Sequence, residues 1–109
     1  MKFPSAASLP PRTYSETVLW ENDGTTAPNT ITLSSAYTNF DAIYVLCFTS
    51  ANLYSSVTFL TSTLTLNNGY RFYWNYNEYI EYVLSTATTF TLNNVKAGMY
   101  PVKIIGIKY

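Results

Sequence analysis

The sequence contains no histidine and only one cysteine in 109 residues. Without histidine, Ser-His-Asp and Cys-His catalytic arrangements and histidine-ligated metal sites are excluded. A single cysteine, Cys47, cannot form an intrachain disulfide, so packing must stabilise the fold. Cys47 lies within an apolar run without a base to activate it, which is typical of a small buried hydrophobic residue.

Charged side chains are also scarce. Six basic and six acidic residues make up 11% of the chain and give a net charge of zero, whereas soluble domains average about 25% charged residues. The chain has no basic cluster of the kind that attracts nucleic acid, so we predict no nucleic-acid partner. Six carboxylates are few for acid–base chemistry, and we predict no enzyme activity, no cofactor and no metal. These carboxylates belong to Glu16, Glu21, Asp23, Asp41, Glu78 and Glu81.

Long hydrophobic runs are missing as well. None approaches the roughly 18 residues that a membrane-spanning helix needs, so we predict no membrane insertion. The first eleven residues lack the continuous apolar stretch of a secretion signal. Pro4, Pro10 and Pro11 cannot donate ladder hydrogen bonds, which predicts an extended arm over residues 1–15 and a single domain over 16–109.

Aromatic and small polar residues dominate the remainder. Tyrosine, phenylalanine and tryptophan form 17% of the chain, and 36 residues are Thr, Ser or Asn. Such an aromatic-rich, charge-poor composition is the opposite of a disordered chain. Short alternating segments separated by Asn, Asp and Gly favour an all-β domain. We predict strands over 17–21, 30–33, 42–48, 56–60, 63–66, 70–74, 79–85, 88–92 and 99–109.

One segment is compatible with two kinds of secondary structure. Residues 79–85 have a possible helical face, but the alternation of Ile80, Tyr82 and Leu84 favours a strand. Asn67-Asn68-Gly69 predicts a hairpin turn between strands 63–66 and 70–74. The prediction is therefore an antiparallel β-sandwich or jelly roll of about eight or nine strands. Its predicted core comprises Val18, Trp20, Ile31, Leu33, Ile43, Val45, Cys47, Val57, Phe59, Phe72, Trp74, Phe90, Leu92, Val102 and Ile104.

Two regions resemble a known family. Residues 17–24 (TVLWENDG), 30–34 (TITLS) and 39–45 (NFDAIYV) are similar to a pattern in bacteriophage virion proteins, and residues 103–109 (KIIGIKY) are similar to the end of such domains in tail and fibre proteins. The resemblance covers about residues 17–45 and 99–109. It implies a β-sandwich at the tip or surface of a virion protein, often trimeric and often receptor-binding, with other virion proteins as partners.

A dense aromatic segment spans residues 70–79 (YRFYWNYNEY). Exposed aromatic rings beside amide and carboxylate groups suit the apolar faces and hydroxyl edges of sugars. The same residues also suit a central strand and tight turn, so both interpretations stay open. For a host-surface polysaccharide, the candidate ligand-binding residues are Tyr73, Asn75, Tyr76, Asn77, Tyr79 and Asp23, with Asn22 as a neighbour of Asp23.

Two predicted strands are apolar on both faces. If Ile43, Val45 and Cys47 point inward, the residues between them point outward, and the last strand repeats this pattern. Such a face is not left in water over a wide area, and a chain without net charge has little protection against association. We therefore predict a homo-oligomer, with a trimer favoured by the resemblance. The candidate interface residues are Tyr44, Leu46, Phe48, Ile105, Ile107 and Tyr109.

Together these observations predict a non-enzymatic structural protein of the phage virion, with a surface or fibre-tip domain that binds host glycan. The alternative is a ligand-free capsid-decoration or assembly module. In that case, we expect the arm to reach a neighbouring subunit.

Overall fold

The computed structural model describes residues 14–49, 53–75, 78–95 and 99–109, and at residues 73–75 and 78 it describes the backbone alone. Eight strands and two short 3₁₀ turns make up this part of the chain, which confirms the all-β prediction. None of its helical segments is long and apolar enough to span a membrane. The strands are β1 Ser15–Glu21, β2 Thr30–Thr32, β3 Ala42–Phe48, β4 Tyr54–Leu60, β5 Gly69–Asn75, β6 Glu78–Thr86, β7 Thr89–Val95 and β8 Tyr100–Lys108.

The strands form two four-stranded antiparallel sheets that pack face to face. Sheet A has the order β1-β8-β3-β4, and sheet B has the order β2-β7-β6-β5. Each strand runs opposite to the next one along the chain, so the connections after β1, β3, β5 and β7 lie at one end of the sandwich. This end is called the loop end below.

Side chains from the facing surfaces of the two sheets form one core. Phe72 lies near its centre, with ring centroids 5.2 Å from Tyr82 and 5.9 Å from Phe90. Aromatic pairs at these distances contribute about 0.5–1.5 kcal/mol each beyond the area they bury. The Tyr82 hydroxyl donates a hydrogen bond of 2.9 Å to the Pro28 carbonyl, so its polar end is satisfied. Eight predicted core residues are buried: Ile31, Leu33, Ile43, Val45, Cys47, Phe72, Phe90 and Ile104.

The predicted core position of Val18 in β1 is wrong. Val18 is 47% exposed, whereas Leu19 is buried. The cause is a register shift, because Val18 pairs with Ile105 but Trp20 pairs with Ile104, which leaves Leu19 as an extra residue. Such a bulge interrupts the alternation of side chains. Leu19 and Trp20 therefore both contact the core.

The predicted strand over residues 63–66 is also wrong. A 3₁₀ turn occupies Thr61–Thr63, and buried Leu64 anchors the connection from β4 in sheet A to β5 in sheet B. Asn67, not Gly69, adopts positive φ (67°), which asparagine tolerates better than most residues. The predicted hairpin at residues 67–69 is consequently absent, and β5 pairs with β6.

Residues 79–85 form a strand, as the alternation of Ile80, Tyr82 and Leu84 predicts, and all three side chains are fully buried. Trp20, Val57, Phe59 and Leu92 are partly buried against the core. The structure does not describe the side chain of Trp74, another predicted core residue. Most of the predicted arm, residues 1–13, also lies outside the described residues.

Candidate functional site

The outer face of sheet A, which points away from sheet B, is mostly apolar. The phase of β3 creates it, because Ile43, Val45 and Cys47 are buried against sheet B and the alternate residues point outward. The register of β3 with β4 and β8 then sets apolar residues side by side across the strands. We define the outer face of sheet A by Val18, Tyr44, Leu46, Phe48, Tyr54, Leu60, Tyr100, Ile105 and Ile107.

Exposure is highest at the margins of this face. Val18 on β1 is 47% exposed, Leu60 on β4 is 55% exposed, and Tyr54 on β4 is 65% exposed. The predicted interface residues of β3 and β8 are half-buried between these margins. Tyr109 lies just beyond β8, where it is exposed and its N–H donates a 2.8 Å hydrogen bond to Asp41 Oδ2.

Charges on the outer face of sheet A lie at the β1 side. Lys103 Nζ is 3.4 Å from Glu21 Oε1, and Glu16 pairs with Ile107 at the same edge. On the β3 and β4 side the outward positions carry no charge: Ala42, Tyr44, Leu46, Phe48, Tyr54, Ser56, Thr58 and Leu60. The β3 and β4 part of the face is therefore uncharged, and an ion pair between β1 and β8 borders it.

An aromatic trio, Phe48, Tyr54 and Tyr100, occupies the loop end of this face. The Phe48 ring centroid lies 5.4 Å from Tyr54 and 5.2 Å from Tyr100. Tyr54 and Tyr100 were absent from the sequence-based candidates. Only the pairing of Phe48 with both residues identifies them, and that register could not be read from the sequence.

The outer face of sheet B is polar. Arg71 Nε lies 3.3 Å from Glu81 Oε1, and the Asn93 side-chain amide donates a hydrogen bond to Glu81 Oε2. A Ser85–Thr91 hydroxyl hydrogen bond of 3.0 Å continues this polar surface. Thr30 and Thr32 of β2 are exposed beside it. The two outer faces thus differ in chemistry: that of sheet B is polar, as is usual for a surface in water, and that of sheet A is mostly apolar.

The predicted ligand residues are distributed around the β5–β6 connection at the loop end. Tyr73 and Asn75 belong to β5, whereas Tyr76 and Asn77 lie outside the described residues. Tyr79 is 9% exposed, and the Arg71 guanidinium carbon lies 4.1 Å from its ring centroid. Arg71 therefore covers the ring surface on which a sugar would stack.

Asp23 is also at the loop end, in the β1–β2 connection, and it is exposed. Its neighbour Asn22 forms the predicted turn by accepting a 2.8 Å hydrogen bond from the Gly24 N–H. The Asn22 amide also donates a 2.8 Å hydrogen bond to the Pro101 carbonyl, which fixes the loop against β8. The described residues do not place Asp23 in contact with the candidates of β5 and β6.

Cys47 has the surroundings of a packing residue. Its side chain is 2% exposed, and burial raises the pKa of its thiol to about 12. A neutral, inaccessible thiol is neither a nucleophile nor a metal ligand at neutral pH.

Fold and surface together define a β-sandwich domain with one polar and one apolar outer face. Compared with models of known protein families and with curated protein sequences, the chain matches none.

Proposed function

We propose that this domain is a non-enzymatic structural subunit that assembles with further copies of itself through the outer face of sheet A. The observation that carries the proposal is the contrast between the two outer faces. Hydration is unfavourable for apolar surface, and the driving force scales with the area removed from water. A second copy is the best-suited occupant because the β3 and β4 part of this face has no charge that would select an oppositely charged partner.

The size of the face sets the expected strength of association. Four strands spaced about 4.8 Å apart, each seven or more residues long, give roughly 450 Å² in projection. This area is within the range of the largest apolar patches on monomers and below the roughly 800 Å² per partner of a standard interface. Face contacts alone therefore favour weak, concentration-dependent association, and stable assembly requires a second contact.

A bacteriophage particle is the setting that we propose for this assembly. The resemblance of residues 17–45 and 99–109 to virion domains supports it and favours a trimer, with other virion proteins as neighbours. In this setting the chain serves as a decoration or assembly module, and residues 1–13 are candidates for the second contact.

Sedimentation velocity of charged variants tests the face contact. Val18→Lys with Leu60→Lys places two cations on outward side chains that are about half exposed, so each monomer should still fold. We expect this variant to sediment as a monomer at concentrations where the wild type associates. Thr30→Lys with Thr32→Lys is the matched control on the exposed outer face of sheet B and should leave association unchanged. Equal association of both variants would contradict the proposal.

Binding of host-surface glycan is a second candidate function. It is supported by the gathering of aromatic residues at the loop end, where the exposed Tyr54 and the half-buried Tyr100 lie beside Phe48. Loops at one end of a β-sandwich commonly carry recognition. Glycan-array binding should be lost in Tyr76→Ala or Tyr54→Ala and kept in Tyr14→Ala, which changes an exposed tyrosine at the opposite end. Binding that survives both loop-end substitutions would remove this candidate.

A further inference from the structure

The four edge strands of the sandwich are not equally protected against pairing with another chain. β1 has a bulge and two glutamates, β2 is three residues long, and β5 has an arginine and a register shift between Tyr73 and Asn75. Short length, charge and bulges are the usual protections of an edge. β4 has none of these, because its seven residues (YSSVTFL) are uncharged and pair with β3 without a shift.

Hydrogen bonds at both ends of β4 determine which backbone groups face the open edge. Thr61 N–H donates to the Asp41 carbonyl at 3.0 Å, and Thr49 N–H donates to the Leu53 carbonyl at 2.7 Å. Hydrogen-bonded pairs alternate along an antiparallel ladder, so Ser55, Val57 and Phe59 bond to β3. The intervening residues direct their N–H and C=O groups away from β3: Tyr54, Ser56, Thr58 and Leu60.

Within the described residues, β4 is hydrogen-bonded to β3 alone, and the outward backbone groups of Ser56 and Thr58 pair with no other strand. At the end of β4, the Thr63 hydroxyl donates a 2.6 Å hydrogen bond to the Leu60 carbonyl. The open segment is therefore centred on Val57, between the two residues with free groups.

We propose that β4 pairs antiparallel with β4 of a second copy about a two-fold axis at Val57. In this register Ser56 lies opposite Thr58 of the second copy, and both residues present outward backbone groups to each other. The two central pairs form about four hydrogen bonds. Sheet A then continues across the axis as one eight-stranded sheet.

The sequence makes a second β4 a better occupant than the two obvious alternatives. Residues 1–13 contain Pro4, Pro10 and Pro11, which lack an N–H, so that segment offers at most a short ladder. A foreign charged strand finds no complementary charge on β4. Pairing of two β4 strands requires no complementary charge, because the outward N–H and C=O groups of one β4 can bond to those of the other.

This inference goes beyond the proposed function. The face contact is made by side chains of all four strands of sheet A, whereas the edge contact is made by the backbone of β4. Each contact can therefore be removed while the other is kept.

Disulfide trapping tests the edge contact and its register. Val57→Cys places two thiols at the two-fold axis, in a non-hydrogen-bonded pair with Cα atoms about 4.5 Å apart, within disulfide range. Ser55→Cys is the matched control, because two copies of residue 55 are about 13 Å apart in this register. Mild oxidation should yield a covalent dimer of Val57→Cys only, since native Cys47 is buried in both. Failure of Val57→Cys to cross-link, or equal cross-linking of Ser55→Cys, would overturn the proposal.

A proline pair supplies an independent test. Thr58→Pro removes an N–H that faces the open edge and is not bonded to β3, so the monomer should still fold. Thr32→Pro is the control on the edge strand β2 of sheet B. The Leu33 N–H donates a hydrogen bond to the Thr88 carbonyl, and the Leu92 N–H donates one to the Asn29 carbonyl. Because hydrogen-bonded pairs alternate along the ladder, the N–H of Thr32 points away from β7, as that of Thr58 points away from β3. In the Val57→Cys background, Thr58→Pro should reduce cross-linking at least tenfold and Thr32→Pro should leave it unchanged. If contacts of residues 1–13 or random collisions caused the cross-linking, Thr58→Pro would leave it unchanged. That result would also overturn the proposal.

Discussion

The buried thiol of Cys47 predicts how the stability of the folded domain depends on alkaline pH. Burial raises the pKa of this thiol from 9.0 to about 12. A group whose pKa is raised by folding stabilises the folded state fully below its unfolded pKa and loses that contribution as the pH rises through its folded pKa. We therefore expect the free energy of unfolding to decrease with pH above about 9.

The magnitude follows from the size of the shift. One pKa unit corresponds to about 1.4 kcal/mol, so a difference of about three units amounts to about 4 kcal/mol between pH 9 and pH 12. Burial also raises the pKa of the Tyr82 hydroxyl, which adds a loss in the same direction above pH 10. Domains are stable by only about 5–15 kcal/mol, so the two losses together are a large fraction of the stability of a domain.

Urea unfolding curves between pH 7 and pH 10 measure this effect, and Cys47→Ala isolates it. Wild-type stability should be level up to about pH 9 and then decline, by about 1 kcal/mol for the next pH unit. Cys47→Ala should be less stable at neutral pH because of the lost packing, but it should show no decline below pH 10. Parallel curves for the two proteins would refute the assignment of the decline to the buried thiol. Rapid reaction of Cys47 with a thiol reagent in the folded state at pH 9 would refute it as well.

Substitutions at three further positions test the folded structure. Gly106→Ala should lower the free energy of unfolding by about 1–3 kcal/mol, because its Cβ would lie 2.7 Å from the ring of Phe40; an unchanged melting temperature would contradict this contact. Tyr82→Phe should cost about 1–2 kcal/mol, because the Pro28 carbonyl loses its donor, and a stability equal to wild type would show that this hydrogen bond contributes nothing. At Asn67, where φ is 67°, replacement by glycine should be nearly neutral and replacement by valine should cost at least about 1 kcal/mol in thermal unfolding; equal melting temperatures would be inconsistent with this backbone conformation.

The sequence predicted those parts of the fold that depend on local alternation. β3 has its predicted bounds, 42–48, because its residues alternate between buried and half-buried positions without interruption. The strand assignment of residues 79–85 succeeded for the same reason. These two segments lie at the centres of the two sheets, where period-two burial is strictest.

Features that depend on register and three-dimensional contacts could not be predicted. The bulge in β1 moves Leu19 into the core, and nothing in the residue types of that strand specifies it. Residues 63–66 alternate like a strand but serve as a connection between sheets, with Leu64 as its anchor. Tyr54 and Tyr100 join Phe48 only through pairings between segments that are distant in sequence.

The native mass in solution tests the central claim most directly. Sedimentation equilibrium of the full chain across micromolar concentrations should give a mass that rises with concentration to a multiple of the 12.3 kDa chain. The Val18→Lys, Leu60→Lys variant should shift this rise to higher concentration. A single 12.3 kDa species throughout the range would contradict the account, because the outer face of sheet A would then be stable in water without a partner.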